Sequence, residues 1–391
     1  MVLILPFGMM SGYLTVAVGY LLTKAGASVE DVAGLIAISF IPHTWKFLWA
    51  PVADTTLGRK SWYVLACVPS AAGLWATGAF PATRAGLAAL TVVVLVANVA
   101  VTFLGMSVES LMAYEAPADE KGRASGWFQA GNLGGAGLGG GAGLWLAQNL
   151  RAPWMAGAVL ALLCLLCCIP LLFIEEPMAS HRREKLGKSL AQVLIDLWNT
   201  SKSRIGALAL LLCFLPIGSG AAAGLWSAVA GDWKASADTV ALVNGVLGGL
   251  VSAAGCVAGG WLCDRMNRQV AYMLYGMLQA LCAVAMAITP RTETTFVVFT
   301  MLYAFITGLT YGGFSAFVLE AMGLGAAATK YNLFASLSNM PIAYLTWVDG
   351  WAHDCWGARG MLLIEAAMGL DGLVIFLAVL FLLRARKRAS Q

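Results

Sequence analysis

Long apolar runs divided by short polar breaks are the main pattern of this chain. A helix needs roughly 20 apolar residues to cross the hydrocarbon core of a bilayer, and each run has about that length. The sequence lacks the alternation of a membrane β-barrel. The pattern therefore predicts an all-α integral membrane protein with twelve transmembrane helices. The runs lie near positions 1–23, 32–52, 62–80, 86–114, 124–148, 152–174, 205–230, 238–263, 270–290, 294–322, 328–350 and 358–383.

One longer polar stretch divides the twelve runs into two groups of six. It covers about 175–204 and contains the basic sequence HRREK. We therefore expect two pseudo-symmetric six-helix bundles, at residues 1–175 and 204–391, joined by a linker at 176–203. The second bundle ends in a basic tail.

Lysine and arginine are distributed unevenly over the predicted loops. The loop after the second run is short and carries the basic turn Gly58-Arg59-Lys60. If this loop is cytoplasmic, 17 lysines and arginines lie inside, six lie outside, and Lys46 lies within the membrane. Positive charge accumulates in cytoplasmic loops. We therefore expect the linker and both termini in the cytoplasm.

Composition agrees with a bilayer as the solvent. The chain is 60% hydrophobic and 11% charged, whereas soluble domains have about 25% charged residues. The net charge of +4 is a topology signal and gives no indication of a nucleic-acid partner. Most of the nine cysteines fall inside apolar runs, where cysteine acts as a small hydrophobe. We expect no metal site, disulfide framework or cofactor, and we interpret His353-Asp354-Cys355 as a turn in an outer loop.

Two short motifs recur at an offset of 210 residues. Leu5-Pro6-Phe7-Gly8 corresponds to Leu215-Pro216-Ile217-Gly218, and Asp54 corresponds to Asp264. A common offset indicates duplication of a six-helix unit, a design found in transporters. Proline and glycine both weaken a helix, so the repeat predicts a break at the same place in each half. Such breaks either mark a substrate path, here at Pro6, Gly8, Pro216 and Gly218, or are ordinary packing kinks.

The loops after the second and eighth runs resemble the signature of the major facilitator superfamily, G-x-L-x-D-R-x-G-R-[RK]. The second copy, 260–268, matches well, with Asn267 in place of the usual glycine. In the first copy Ala50 replaces the leading glycine, and the gap between Asp54 and Gly58 is one residue longer. The resemblance implies a gate at the inner ends of the helices. Its residues would be Asp54, Gly58, Arg59, Lys60, Asp264, Arg265 and Arg268.

A narrower resemblance is to the AmpG-like muropeptide permeases and their relatives, the siderophore permeases and acetyl-CoA transporters. That group carries P-x-T-x-K-F-L-W-[AS]-P-x-x-D in its second helix, here at 42–54, and the start of its helix eleven resembles 328–338. The muropeptide members end helix four in Asp-Ala-Tyr, whereas this chain has Met112-Ala113-Tyr114, so other bulky solutes such as siderophores stay open. The resemblance implies a monomeric permease for a small organic molecule in a bacterial inner membrane.

Ionisable residues inside the predicted helices are candidates for function, because a charge at the bilayer centre costs about 2.5–3.5 kcal/mol on insertion scales. Lys46 lies two turns inside the second helix, and Glu109 lies at comparable depth in the fourth. We expect them to pair or to exchange partners during transport; a static pair between two helices is the alternative. Glu365 and Asp371 lie in the twelfth helix, which the resemblance places at the periphery. Proton binding and a hydrogen-bonded role inside the protein both stay open for these two acids.

Small and neutral polar residues complete the set of candidates. Glycine is concentrated in the fifth and eighth helices, and small residues let helix backbones approach closely. The superfamily fold would place these helices face to face, as a seam between the halves. Glycine-rich fifth helices also occur in antiporters, which keeps drug efflux open. Residues that could line a substrate path are Asn98, Gln129, Asn132, Trp226, Tyr311 and Asn339.

These features favour a secondary active transporter that imports an organic solute by alternating access, with protons as the coupling ion. The sequence contains no ATP-binding signature, and one proton crossing 100 mV supplies about 2.3 kcal/mol. A membrane enzyme would need a nucleophile or metal set, and the three histidines, His43, His181 and His353, lie far apart. A receptor or scaffold would need large soluble loops, which the pattern does not predict.

Overall fold

The computed structural model describes residues 1–80, 83–115, 121–174, 204–263, 265–322 and 333–389, with isolated positions between 174 and 204. Within these ranges the chain forms twelve helices and no strand. The helices lie close to the predicted apolar runs. In chain order they are α1 (Val2–Lys24), α2 (Val29–Thr55), α3 (Arg59–Ala79), α4 (Leu87–Glu115), α5 (121–149), α6 (Trp154–Phe173), α7 (204–233), α8 (Ala237–Cys263), α9 (Arg268–Ile288), α10 (Glu293–Met322), α11 (333–356) and α12 (358–389).

Eight stretches of the described chain are long and apolar enough to cross a membrane. One of them, Leu333–Leu382, contains both α11 and α12. The two helices are separated at Gly357, whose φ of 68° and ψ of −173° are far from helical values. Other residues are strained at positive φ, so glycine allows the chain to turn at this position.

α7 is a broken helix. Its first part, Arg204–Phe214, ends before Leu215, and regular structure resumes with a 3₁₀ turn at Ala221–Leu225. Between the two parts, Gly218 and Gly220 have φ of +60° and +73°. The backbone therefore leaves the helix at the second copy of the repeated Leu-Pro-x-Gly motif, where a break is predicted.

The first copy of that motif does not break α1, which corrects the prediction. Pro6 lies in the first turn of the α-helical part Leu5–Gly12, and helical structure continues through Gly8 to Lys24. Proline is tolerated at the start of a helix because its missing N–H has no helical partner there. Gly8 instead lets α5 approach, since a Cβ at Gly8 would lie 1.9 Å from the carbonyl oxygen of Asn132.

Glycines of α5 pack mainly against α1, in the same half of the chain. A Cβ at Gly139 would lie 2.1 Å from the carbonyl oxygen of Met9. Gly255 of α8 likewise lies against the backbone of α10. α5 and α8 do approach at Gly141 and Gly245, where an added Cβ on Gly245 would lie 2.5 Å from the Gly141 Cα. The glycines therefore contribute less to a seam between the halves than expected, because most of them serve helix pairs within one half.

Three helices carry a π-helical stretch where the first six helices meet the last six. The stretches are Tyr13–Val18 in α1, Leu138–Ala142 in α5 and Ala241–Leu247 in α8. All three contact one another. π-turns are rare and occur mostly at functional positions. The backbone of α1, α5 and α8 is therefore altered where these three helices meet at the junction of the two groups.

Candidate functional site

Lys46 and Glu109 form an ion pair between α2 and α4. Lys46 Nζ donates a hydrogen bond to Glu109 Oε1 at 3.0 Å. The two side chains are 12% and 24% exposed, so water can reach the pair. Glu109 Oε2 is buried and has no hydrogen-bond partner among the described residues. The carboxylate therefore has an oxygen free to accept a further donor or a proton.

His43 lies one turn before Lys46 on α2 and extends this polar region. Its Nε2 lies 3.3 Å from Asn98 Oδ1 on α4, and Asn98 Nδ2 donates to the carbonyl oxygen of Val94 at 2.9 Å. Phe7 of α1 contacts the imidazole edge-on, with ring centroids 5.2 Å apart. His43 lies far from the other two histidines in the sequence, which predicts no site for it. Its spacing of three residues from Lys46 was the available signal, because residues three apart share a helix face.

The basic turn after α2 binds to the first six helices. Gly58 precedes α3 with extended backbone, at φ −61° and ψ 150°. Arg59 Nε donates to Ser110 Oγ on α4 at 2.8 Å, and the Lys60 ammonium donates to the carbonyl oxygen of Ile174 after α6. These contacts hold α3 to α4 and α6 at the predicted cytoplasmic end.

In the second copy of the signature, Arg265 lies over the ring of Trp261, 3.5 Å from its centroid. Arg268 begins α9. Asp264 lies outside the described residues, as does the side chain of Asp54, whose backbone belongs to the last turn of α2. The gate role of these residues therefore stays a prediction.

A buried pair of acids, Asp349 and Glu365, lies between α10, α11 and α12. Glu365 is 5% exposed, and Tyr303 of α10 donates its hydroxyl hydrogen to Glu365 Oε1. Asp349 of α11 is fully buried beside Glu365. This corrects the expectation of a peripheral α12, because one face of that helix belongs to the interior. Asp371, six residues further along α12, is exposed instead.

Polar side chains of α9 and α10 lie next to this acid pair. Gln279 Nε2 donates to Thr307 Oγ1 at 3.0 Å, and both side chains are buried. The broken part of α7 packs on them: an added Cβ would lie 2.6 Å from Thr310 at Gly218 and 2.8 Å from Thr307 at Gly220. The break in α7 thus brings backbone directly against polar side chains, which a residue larger than glycine would obstruct.

A cavity of about 160 Å³ lies between α1 and helices α7, α8 and α10. Its polar lining includes Thr15, Asn244 and Thr307. Trp226 also lines it, and the Trp226 ring stands edge-on to Tyr303 with ring centroids 5.2 Å apart. Tyr303 therefore connects the cavity lining to the acid pair.

The other predicted polar residues are dispersed. Asn339 donates to carbonyl oxygens in the preceding turn of its own chain segment. Asn132 is partly buried in α5, whereas Gln129 and Tyr311 have exposed side chains. Their part in a substrate path stays a prediction.

The His353-Asp354-Cys355 sequence is helical and belongs to α11, which corrects its interpretation as a turn. Asp354 accepts hydrogen bonds at 3.1 Å from the backbone N–H groups of Val29 and Glu30, the first residues of α2. A carboxylate at a helix N-terminus satisfies free N–H groups and interacts with the helix dipole. His353 Nε2 also lies 2.7 Å from Asp232 Oδ2 of α7. The Asp354 bonds join the first six helices to the last six at the predicted outer end.

Two further contacts join the halves between the middle of the molecule and that end. The Ser227 hydroxyl of α7 donates to the carbonyl oxygen of Thr15 in α1. Gly350 of α11 lies against Ala33 of α2, where an added Cβ would be 2.2 Å from the Ala33 Cβ. Together with the Asp354 hydrogen bonds, these contacts close the predicted outer side of the molecule.

Comparison with known proteins agrees with this architecture. The model of the Major Facilitator Superfamily matches residues 1–344. The anhydromuropeptide permease of Escherichia coli strain K12 is 25% identical over 393 residues, which cover 95% of this chain and 76% of the permease. The same permease from Escherichia coli O157:H7 gives the same values.

Solved structures of transporters share the fold. The nucleoside transporter NupG aligns with a TM-score of 0.71 at 14% identity, over 97% of this chain and 97% of that one. A D-xylose–proton symporter aligns with a TM-score of 0.68 at 14% identity, over 96% and 95%. A bacterial homologue of the human lysosomal transporter Spinster, inward-facing and unoccupied, aligns with a TM-score of 0.72 at 13% identity, over 97% and 93%.

The family model spans most of the chain, and the helical architecture is shared with these transporters over nearly its whole length. The all-α membrane fold predicted from the sequence is thereby confirmed. The chain belongs to the major facilitator superfamily, and it is an integral membrane transporter rather than an enzyme.

Proposed function

We propose that this transporter imports a bulky, carboxylate-bearing solute of the anhydromuropeptide class, with protons as the coupling ion. The observation that carries the proposal is the ion pair of Lys46 and Glu109, which is partly exposed within an apolar helical bundle. The similarity to the anhydromuropeptide permease, along 95% of this chain, supports the class of solute.

The ion pair offers a way to couple two binding events. A muropeptide carries peptide carboxylates, and Lys46 can bind one of them once Glu109 releases it. Protonation of Glu109 removes its negative charge and so frees the lysine. Glu109 Oε2, which lacks a partner among the described residues, is an acceptor for that proton. Proton binding and solute binding then favour each other, as coupled transport requires.

Alternating access would move two bundles, 1–175 and 204–391, against each other. The hydrogen bonds from α2 to Asp354 hold the outer ends together in this structure, so solute would exchange on the inner side. Breaking these bonds would let the outer side open. The bias of basic residues among the loops supports placing both termini in the cytoplasm. The similarity to the permease of Escherichia coli supports a bacterial inner membrane, where we expect one chain to act as a monomer.

Efflux by antiport is the alternative, and it depends on the glycine-rich fifth helix. The glycines of α5 lie mainly against α1, where Gly139 approaches the Met9 carbonyl oxygen. That packing accounts for the glycines without an antiport mechanism. Import is therefore the function that we propose to test.

Uptake into proteoliposomes tests the proposal. The purified protein would be reconstituted, and a labelled anhydromuropeptide would be supplied outside with the outside acidic, or with equal pH on both sides. We expect accumulation only with the inward proton gradient, and its loss on adding a protonophore. Nucleosides and a ferric siderophore serve as control solutes. Accumulation that ignores the gradient, or that needs the opposite gradient, would contradict proton-coupled import.

A further inference from the structure

The acid pair, Asp349 and Glu365, is not used by the exchange proposed at Lys46. Both carboxylate oxygens of Asp349 and Oε2 of Glu365 are buried and have no hydrogen-bond partner among the described residues. Asp349 is 0% exposed. An ionised carboxylate without partners in an apolar interior is strongly disfavoured. The pair therefore requires a ligand that neutralises at least one of its negative charges.

Among the described residues, those around the acid pair supply no positive charge. α10 contributes Tyr303, which donates to Glu365, and Tyr344 of α11 lies within range of the Glu365 charge. α9 contributes the neutral Gln279 beside Tyr303, and α7 contributes backbone at Ala222. Within the described part of the chain, the ion pairs of lysine and histidine lie elsewhere, and no group of three metal-ligating residues occurs. Charge balance at the pair thus has to come from a bound ion.

We propose that the acid pair is a proton-binding site, which holds one proton between its two carboxyl groups and releases it during the transport cycle. Two neighbouring carboxylates in a site of low dielectric constant share a proton because both cannot be ionised together. Tyr303 already donates to Glu365, which leaves Asp349 as the group that carries the proton. This inference rests on the proposed function and adds a second proton site, in the last six helices.

The proton site is linked to the cavity through one residue. Tyr303 contacts Glu365 on one side and the ring of Trp226, which lines the cavity, on the other. The broken part of α7 that contains Gly218 and Gly220 packs on the same polar side chains. Broken helices of this kind surround the coupling ions of many transporters. A movement of α7 would therefore change both the cavity and the access of water to the acid pair.

Infrared spectroscopy tests proton binding without any solute. The full-length protein would be purified in detergent, and spectra of wild type and Asp349→Asn would be compared at neutral pH. We expect the wild type to show the band of a protonated carboxyl group. Asp349→Asn should remove this band, and Glu365→Gln should shift its frequency, because the Asp349 carboxyl group loses its carboxylate partner. Thr346→Val is the matched control, since Thr346 is a buried, uncharged residue one turn from Asp349 on α11. A carboxyl band unchanged in both acid variants would overturn the proposal.

Transport assays test whether release of the bound proton is coupled to movement of the solute. Losing one coupled proton at about 100 mV removes about 2.3 kcal/mol, so accumulation by Asp349→Asn should fall by up to about fiftyfold. Counterflow exchange, which needs no gradient, should stay close to wild type, and Thr346→Val should change neither. Normal accumulation by Asp349→Asn, or accumulation that follows a sodium gradient, would overturn the coupling. If the wild type moves no anhydromuropeptide, the proposed function fails while the infrared result still decides the proton site.

Discussion

The two carboxylate oxygens of Glu109 differ in their hydrogen bonding. Oε1 accepts a hydrogen bond from Lys46, whereas Oε2 is buried without a partner among the described residues. Removing one member of a buried charged pair usually costs several kcal/mol, because the other charge stays behind unpaired. Here water can reach the pair, since the side chains are 12% and 24% exposed, and this lowers that cost. The pair can therefore separate during a cycle without unfolding the bundle.

Glu109→Gln is predicted to weaken the coupling of uptake to the pH gradient. Glutamine keeps the shape and one oxygen acceptor but cannot bind a proton reversibly. Accumulation of anhydromuropeptide in proteoliposomes should depend less on an inward proton gradient than in wild type, because only the acid pair in the last six helices still binds a proton. Asp371→Asn, at an exposed acid on α12, is the control and should behave as wild type. A normal response to pH in Glu109→Gln would assign the pair a static structural role.

Lys46→Gln is predicted to weaken solute binding. A hydrogen bond to a charged group contributes about 1.5–3 kcal/mol, so KM should rise by roughly ten- to a hundredfold. The measurement is the concentration dependence of uptake. Lys24→Gln, at the exposed end of α1, should leave KM unchanged. An unchanged KM together with a reduced maximal rate would mean that Lys46 serves movement rather than binding.

Among the helices, α1 and α7 show how one motif can lead to two structures. Both contain Leu-Pro-x-Gly at corresponding positions. In α1 the proline falls in the first helical turn and is accommodated. In α7 a helix of eleven residues precedes the motif, so Pro216 falls where a helix would need its N–H, and Gly218 turns the chain at φ +60°. The length of helix that precedes the motif therefore decides whether the motif breaks the helix.

Gly218→Ala is predicted to destabilise the protein. A side chain in the left-handed region costs about 1–2 kcal/mol, and here its Cβ would also lie 2.6 Å from Thr310. The midpoint of thermal unfolding in detergent should fall, and uptake should fall with it. Gly260→Ala is the control, because nothing lies within 4 Å of its added Cβ, and alanine favours helix there. Equal midpoints for Gly218→Ala and wild type would show that the break tolerates a side chain.

At the scale of the whole molecule, the two groups of six helices are joined toward one end. Asp354 of α11 bonds to the start of α2, and Gly350 packs on Ala33 nearby. The described contacts of the basic turn at Arg59 and Lys60 are with the first six helices. These positions fit a transporter that is closed on its predicted outer side.

Asp354→Ala is predicted to loosen the outer closure. The N–H groups of Val29 and Glu30 would lose their shared acceptor. Hydrogen–deuterium exchange at the start of α2 should accelerate, and the population open to the outside should grow. Asp238→Ala, at an exposed acid that begins α8 near the same end, is the control. Unchanged exchange at Val29 and Glu30 would show that Asp354 is not what closes this end.

The sequence by itself determined the helices, their order and the side on which basic loops gather. Apolar runs of spanning length and the distribution of lysine and arginine are local properties, readable without knowing which helices touch. Lys46, Glu109 and Glu365 were found in the same way, as charges inside apolar runs, whereas Asp349, near the end of the eleventh run, was missed. Even the pairing of Lys46 with Glu109 was expected from their comparable depth in the second and fourth helices.

Tertiary structure decided which polar groups meet and which faces of each helix are buried. Asp349, Glu365 and Tyr303 come from three helices, and their meeting depends on helix rotation that a nearly all-apolar sequence does not encode. For the same reason α12 could not be assigned an inner face, and His353 and Asp354 could not be assigned to a contact between α11, α7 and α2. Hydrophobic periodicity identifies the inward face of a helix only when the outward face is polar. In a membrane the outward face contacts lipid and is apolar as well, so the two faces cannot be told apart from the sequence.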